Sequence, residues 1–316
     1  MKRLLLCLFL MAFTGTGFAV THYWTSAVNQ DFATLGNWNT NNAGTGTVMT
    51  TFTGNALYIN RTGTQKAIIS SDIANLTGSG SLRLGYGVTG ASGELLVTGG
   101  VNAFGNSLQV GGNTTGACLL TMSGGTLKFN ASYATIGEGA ATNGTINING
   151  GSLEADRMTI ANNATAVAKL DISAGSIKLV NYMSQSTSGS LRFGSGNATM
   201  NISGTAVVEM DTLTLGNGLG TGLFTMSGGQ LFTDNVTFAA GVLTAFEGGT
   251  WTLTGDKTTT INDAILNGYI NHSGGNGKIS VVYNQPQDVT LVTIVPEPAT
   301  LMLLGLGGLI IRKRRS

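Results

Sequence analysis

Apolar and polar residues alternate along most of the chain in short runs broken by Gly and Asn. Two examples are Gly125, Thr126, Leu127, Lys128, Phe129, Asn130 and Leu231, Phe232, Thr233, Asp234. A period of two means strands with one buried face, and the Gly and Asn clusters mark where each strand turns. The runs themselves repeat. Segments reading apolar, x, apolar, Ser or Thr, Gly, Gly stand at Leu95–Gly100 and Leu120–Gly125, and Ile146–Gly151 has the same form with Asn149 at the fourth position. Weaker copies stand at Leu170–Gly175 and Met200–Thr205, followed by a good copy at Phe224–Gly229 and a drifted one at Leu243–Gly249. The first position of each pair falls at 99, 124, 150, 174, 204, 228 and 248, a beat close to 25 residues. A second element keeps the same beat: apolar or small, polar, apolar, then Gly or Ala, as at Leu82–Gly85, Leu108–Gly111, Ala134–Gly137, Met158–Ala161, Leu191–Gly194, Leu213–Gly216 and Val236–Ala239.

A fixed period of this length is the signature of a solenoid, in which each unit buries its apolar side only by stacking on its neighbours. Three short strands per unit make one turn of a parallel β-helix. About seven turns at a strand spacing of about 4.8 Å give a rod near 34 Å long. An antiparallel sandwich has similar strands and turns, but the single dominant period argues against it. The open ends of such a rod need covers; Trp24, Phe32 and Trp38 before the repeats, and Phe246 and Trp251 after them, are the candidates. No helix is expected between the two termini.

The termini break the pattern. Lys2 and Arg3, an apolar stretch from Leu4 to Phe13 and the small-residue sequence Gly17, Phe18, Ala19 make a secretory signal peptide with cleavage after Ala19. At the other end Val295, Pro296, Glu297, Pro298 lead into an apolar segment, Ala299 to Ile311, followed by Arg312, Lys313, Arg314, Arg315 and Ser316. As a helix this segment would be about 20 Å long, short of the roughly 30 Å hydrocarbon core of a bilayer. The basic cluster acts as a membrane stop on the cytoplasmic side, with the rest of the chain across the membrane. The expected organisation is therefore a signal peptide (1–19), an N-terminal cap region (20–72), β-helix repeats (73–256), a C-terminal cap and linker (257–294) and a sorting tail (295–316), with a short C-terminal transmembrane helix in the tail.

Residues Val295 to Ser316 resemble the PEP-CTERM sorting signal. That resemblance implies recognition of Pro296, Glu297 and Pro298 by a membrane-embedded exosortase, processing near the motif, and delivery to the cell surface or extracellular matrix. The repeats, from Thr21 to Asp256, resemble the autotransporter-associated β-strand repeats of bacterial passenger proteins. They depart from that family in having no C-terminal strand set able to build an outer-membrane barrel.

Composition narrows the chemistry. Only 10% of residues are charged and 48 are glycine, a bias toward turns and extended structure. The net charge of +1 comes from the termini; without Lys2, Arg3, Arg312, Lys313, Arg314, Arg315 and Glu297 the chain keeps 10 basic and 14 acidic residues. Such a balance speaks against nucleic acid as a partner. Cys118, in an apolar run, reads as a core residue. His22 and His272 lie far apart, and no Gly-Gly-x-Gly-x-Asp series for calcium occurs, so neither a metal nor another cofactor is expected.

The carboxylates that a β-helix hydrolase or lyase would need are Glu154 with Asp156 and Glu209 with Asp211. Asp156, Asp234 and Asn130 lie six residues beyond their glycine pairs and Asp211 seven, positions where Asp and Asn serve turns. The reading favoured is thus a non-enzymatic surface or matrix protein associated with exopolysaccharide, with no catalytic residues. A polysaccharide lyase or glycosidase, and an adhesin using exposed aromatics, are the alternatives.

Overall fold

A computed structural model describes residues 20–113, 115–180, 190–216, 219–272 and 277–295, with the backbone alone at 130 and 131. Strands dominate, and they form a β-solenoid of about eight turns. Each turn contributes a strand to three faces. On the first face Leu95, Leu120, Ile146, Leu170, Met200 and Phe224 stand in register, each beside the next. All six are fully buried. Their alternation with polar neighbours makes this one inward column, and burial of each side chain stabilises the stack by about 1.5–3 kcal/mol.

Strand pairing between successive turns is parallel throughout, as the repeat requires and the sandwich alternative does not. The structure has one turn more than the glycine beat counts. Asn55–Ile59 and Ala67–Ile69 already stack in parallel on Leu82–Leu84 and Glu94–Val97, although this stretch lacks a Gly-Gly pair.

The Gly-Gly corners explain the beat. Gly151 has φ +78°, and a Cβ there would collide with the carbonyl oxygen of Gly125 on the turn below. The left-handed conformation and the close approach of backbones both require glycine. Side-chain ladders run along both sides of these corners, Ser176 Oγ to Ser152 Oγ at 2.9 Å and Ser173 Oγ to Asn149 Oδ1 at 2.9 Å.

Aromatic rings close the N-terminal end. Trp24, Phe32 and Trp38 are fully buried and pack together, with Phe32 and Trp38 at 4.9 Å between centroids. The Trp38 Nε1–H donates to the Phe32 carbonyl at 3.0 Å, as a buried indole needs. Phe104 stacks on Phe129 at 5.1 Å and carries the aromatic packing into the repeats. At the other end Phe246 and Trp251 are core residues of the last full turn, in strand Val242–Thr254. The cover is built by a helix and a hairpin.

That helix, Thr258–Leu266, corrects the expectation of none between the termini. Its three threonines at the start disguise it, but Asp256 Oδ1 accepts a hydrogen bond from the Thr258 N–H at 3.0 Å, and Ile261 and Ala264 provide a buried side. The hairpin strands Lys278–Asn284 and Val289–Val295 pair with each other antiparallel, and the second also pairs antiparallel with Val242–Thr254. No described helix is long and apolar enough to cross a membrane. The expected transmembrane helix falls within 299–311, outside the described residues, as does the expected signal peptide.

Candidate functional site

The four carboxylates singled out in the sequence separate into two settings. Glu154 and Glu209 point outward from the second face and meet lysines on adjacent turns: Lys128 Nζ lies 3.0 Å from Glu154 and Lys178 Nζ 3.3 Å from Glu209. Parallel register puts Glu154 beside both Lys128 and Lys178, so these acids belong to a charge ladder. Asp156 and Asp211 instead occupy the bend between the second and third faces. Asp156 is buried and lies two turns from Asp211, a rise of about 10 Å. Asp234 follows one turn after Asp211, since Met210 pairs with Thr233 and Thr212 with Asn235. Burial, then the charges of Asp234 and Asp156, push the Asp211 carboxyl above the usual carboxylate range.

The residues considered for other chemistry stay apart. Cys118 is buried, which raises its thiol pKa. His22 is buried at the start of the rod and its basicity is lowered by burial. His272 lies at the far end, with Nδ1 3.0 Å from the Phe246 carbonyl and 3.2 Å from Glu247. No group of three or more His, Cys, Asp or Glu able to hold a metal occurs among the described residues.

The third face carries a feature that the acidic residues do not mark. The polar middle positions of the second recurring element form one outward row: Arg83, Gln109, Thr135, Thr159, Arg192, Thr214 and Thr237, each in register with the next. At its N-terminal end the Arg83 guanidinium lies 4.2 Å from the Tyr86 ring centroid and 5.5 Å from that of Tyr58, and donates to the Tyr58 hydroxyl at 3.2 Å. Gln109 is almost fully buried beside it, and its Oε1 has no hydrogen-bond partner among the described residues.

Further along, the same face sinks into a concavity of about 530 Å³, lined by Tyr133, Glu138, Arg157, Thr159, Arg192 and Thr214 among others. The volume lies within the range of small-ligand sites, about 300–1,000 Å³. Arg157 pairs in register with Tyr133 and its guanidinium lies 5.5 Å from that ring. Arg192 stands exposed on the next turn. Glu138 Oε2 is shielded without a hydrogen-bond partner, and burial raises the Glu138 pKa against the opposing pull of Arg83. The clue in the sequence was the identity of the middle residue in each Leu-x-apolar-Gly segment.

The sorting residues Pro296, Glu297 and Pro298, the basic residues Arg312, Lys313, Arg314 and Arg315, and the expected cleavage residue Ala19 lie outside the described residues. The approach to the motif is described: strand Val289–Val295 ends directly before Pro296. Residues 295–315 match the family model described as the PEP-CTERM protein-sorting motif. The motif marks an exported protein directed to an exosortase, with a surface or extracellular destination. No curated protein and no solved structure matched the chain.

Proposed function

We propose that this exported, exosortase-sorted chain acts as a non-enzymatic rod at the cell surface or in the extracellular matrix, in contact with exopolysaccharide. Its units are of the autotransporter-associated β-strand repeat kind, a reading supported by Gly-Gly corners that stack turn on turn. The observation that carries the assignment is the engagement of Glu154 and Glu209 by Lys128 and Lys178. An acid engaged by an ammonium in a repeated ladder serves stacking, which suits neither a proton donor nor a free nucleophile.

The C-terminal geometry supports a surface role. Strand Val289–Val295 is fastened on both edges. Pro296, Glu297 and Pro298 can span at most about 11 Å before the apolar segment begins. The capped end of the rod is therefore held close to the membrane for as long as that segment is embedded.

Intact-mass measurement of the protein from cell, membrane and medium fractions, with and without the host exosortase, tests the sorting. Loss of the residues beyond the motif only when the enzyme is present is expected; persistence of Ser316 in every fraction would overturn it. A panel of polysaccharides incubated with the purified protein tests the absence of catalysis. Chain cleavage that disappears in Asp156→Asn and Asp211→Asn would replace the rod by a glycosidase or lyase acting at the second bend.

A further inference from the structure

Building on that polysaccharide-associated reading, we propose that the concavity on the third face binds a carboxylate-bearing sugar of an acidic glycan, held by Arg157 and Arg192. Between residues 20 and 294 the chain has four arginines, and three of them, Arg83, Arg157 and Arg192, stand on this face. The lysines are distributed differently. Lys66, Lys128, Lys169 and Lys178 take carboxylate partners on the first and second faces. Acids match these lysines on two faces, while on the third Arg157 and Arg192 share the concavity with Tyr133, Thr159, Thr214 and the Glu138 carboxyl. This occurs in a chain that carries more acidic than basic residues outside its termini, so the cations of this face are a local concentration.

The register sets the geometry. Arg157 pairs with Ser190 and Thr159 with Arg192, which places the two arginines on neighbouring turns, two residues apart along the strand. Their Cα atoms are then about 8 Å apart, and both side chains can converge on one carboxylate. Guanidinium is the group suited to this, because its planar fork bonds both oxygens at once. Tyr133 flanks Arg157 and offers an aromatic surface to the apolar side of a sugar ring. Thr159 and Thr214 provide hydroxyls for the sugar's own. The Glu138 carboxyl, raised in pKa by burial, becomes a hydrogen-bond donor in its protonated form, which lessens its repulsion of an incoming carboxylate.

Calorimetry of the purified exported protein with hexagalacturonate is the test, with maltohexaose and dextran sulfate as comparisons. Saturable binding of hexagalacturonate that weakens as NaCl is raised, with none of maltohexaose, is expected. Arg192→Ala should cut that affinity at least tenfold while leaving the circular dichroism and urea midpoint unchanged, and Arg192→Lys should restore it only in part. Thr214→Val tests the floor without altering charge and should cost several-fold. No saturable binding, binding untouched by Arg192→Ala, or equal binding of dextran sulfate would each overturn the carboxylate site. Fractionation separates this from the broader reading: an exosortase-processed surface protein that ignores hexagalacturonate loses the site and keeps the rod, whereas a protein retained inside the cell loses the rod whatever it binds.

Discussion

The Lys128 ammonium and the Glu154 carboxylate meet at 3.0 Å across two neighbouring turns of the second face. Both side chains are partly exposed, Lys128 at 34% and Glu154 at 22%, so water and salt screen the pair. Glu154→Gln should lower unfolding free energy by less than about 1 kcal/mol. Urea unfolding in low salt and in 1 M NaCl checks this, because the difference from the unaltered protein should shrink in high salt. A much larger loss would mean that the ladder bears more of the stacking energy than its exposure allows.

Asp211 gives a pH dependence of definite sign. Its folded pKa is raised above the ordinary 3.8 by burial and by Asp234 and Asp156. The ionised form is therefore less favourable in the fold than in the unfolded chain. Its unfavourable contribution is fully present above the raised pKa and disappears as pH falls below 3.8. Asp211→Asn should raise the urea midpoint at pH 7 and have no such benefit below pH 3.8. A variant less stable than the parent at pH 7 would show that the carboxylate is stabilised there after all.

Gly151 and Gly255 make a matched pair for measuring the cost of a corner. Both have positive φ, +78° and +75°, but a Cβ at Gly151 strikes the Gly125 carbonyl while one at Gly255 meets nothing within 4 Å. Gly255→Ala should cost about 1–2 kcal/mol, the left-handed conformation alone. Gly151→Ala should cost clearly more, since two backbones must also move apart. Equal losses in denaturant unfolding would show that the turns can spread freely at their corners.

Cys118 reports on opening of the first face. It is buried, and burial raises its thiol pKa, so both access and thiolate fraction are low. Labelling by a maleimide at neutral pH should be slow in the folded protein and rise steeply in urea along with the loss of circular dichroism. Prompt labelling without denaturant would mean that the stack opens locally around Ala117–Ile136.

Much of the architecture could be read from the chain, because a solenoid repeats one local rule. The beat of the Gly-Gly pairs is also the beat of the turns, and the column from Leu95 to Phe224 is simply the inward position of that beat. The first turns were harder to see, since Asn55–Ile59 and Ala67–Ile69 stack without the glycine corner. The short helix Thr258–Leu266 was hidden for a different reason: its β-branched start has weak intrinsic preference, and packing of Ile261 and Ala264 makes up for it.

The candidate sites were less accessible to such reading. Spacing from the glycine pairs correctly put Asp156, Asp211 and Asp234 along one bend, but could not tell that Glu154 and Glu209 would find lysines, because a partner on the next turn is some 25 residues away in sequence. Arg83 and Arg192 were in plain view as middle residues of the second element and Arg157 directly before its copy at Met158–Ala161, yet a residue type at one position means little until its row is known.

The amino-acid order alone therefore specifies the strand period, the corners and the terminal address, each of which depends on residues near one another in the chain. Which outward side chains become neighbours, and so whether a carboxylate is paired, crowded by like charges or set beside a guanidinium, is settled when the turns stack. The physical reason is distance: capping, turning and alternation act over a few residues, whereas electrostatic pairing and the shape of a concavity act across about 5–10 Å of space between turns.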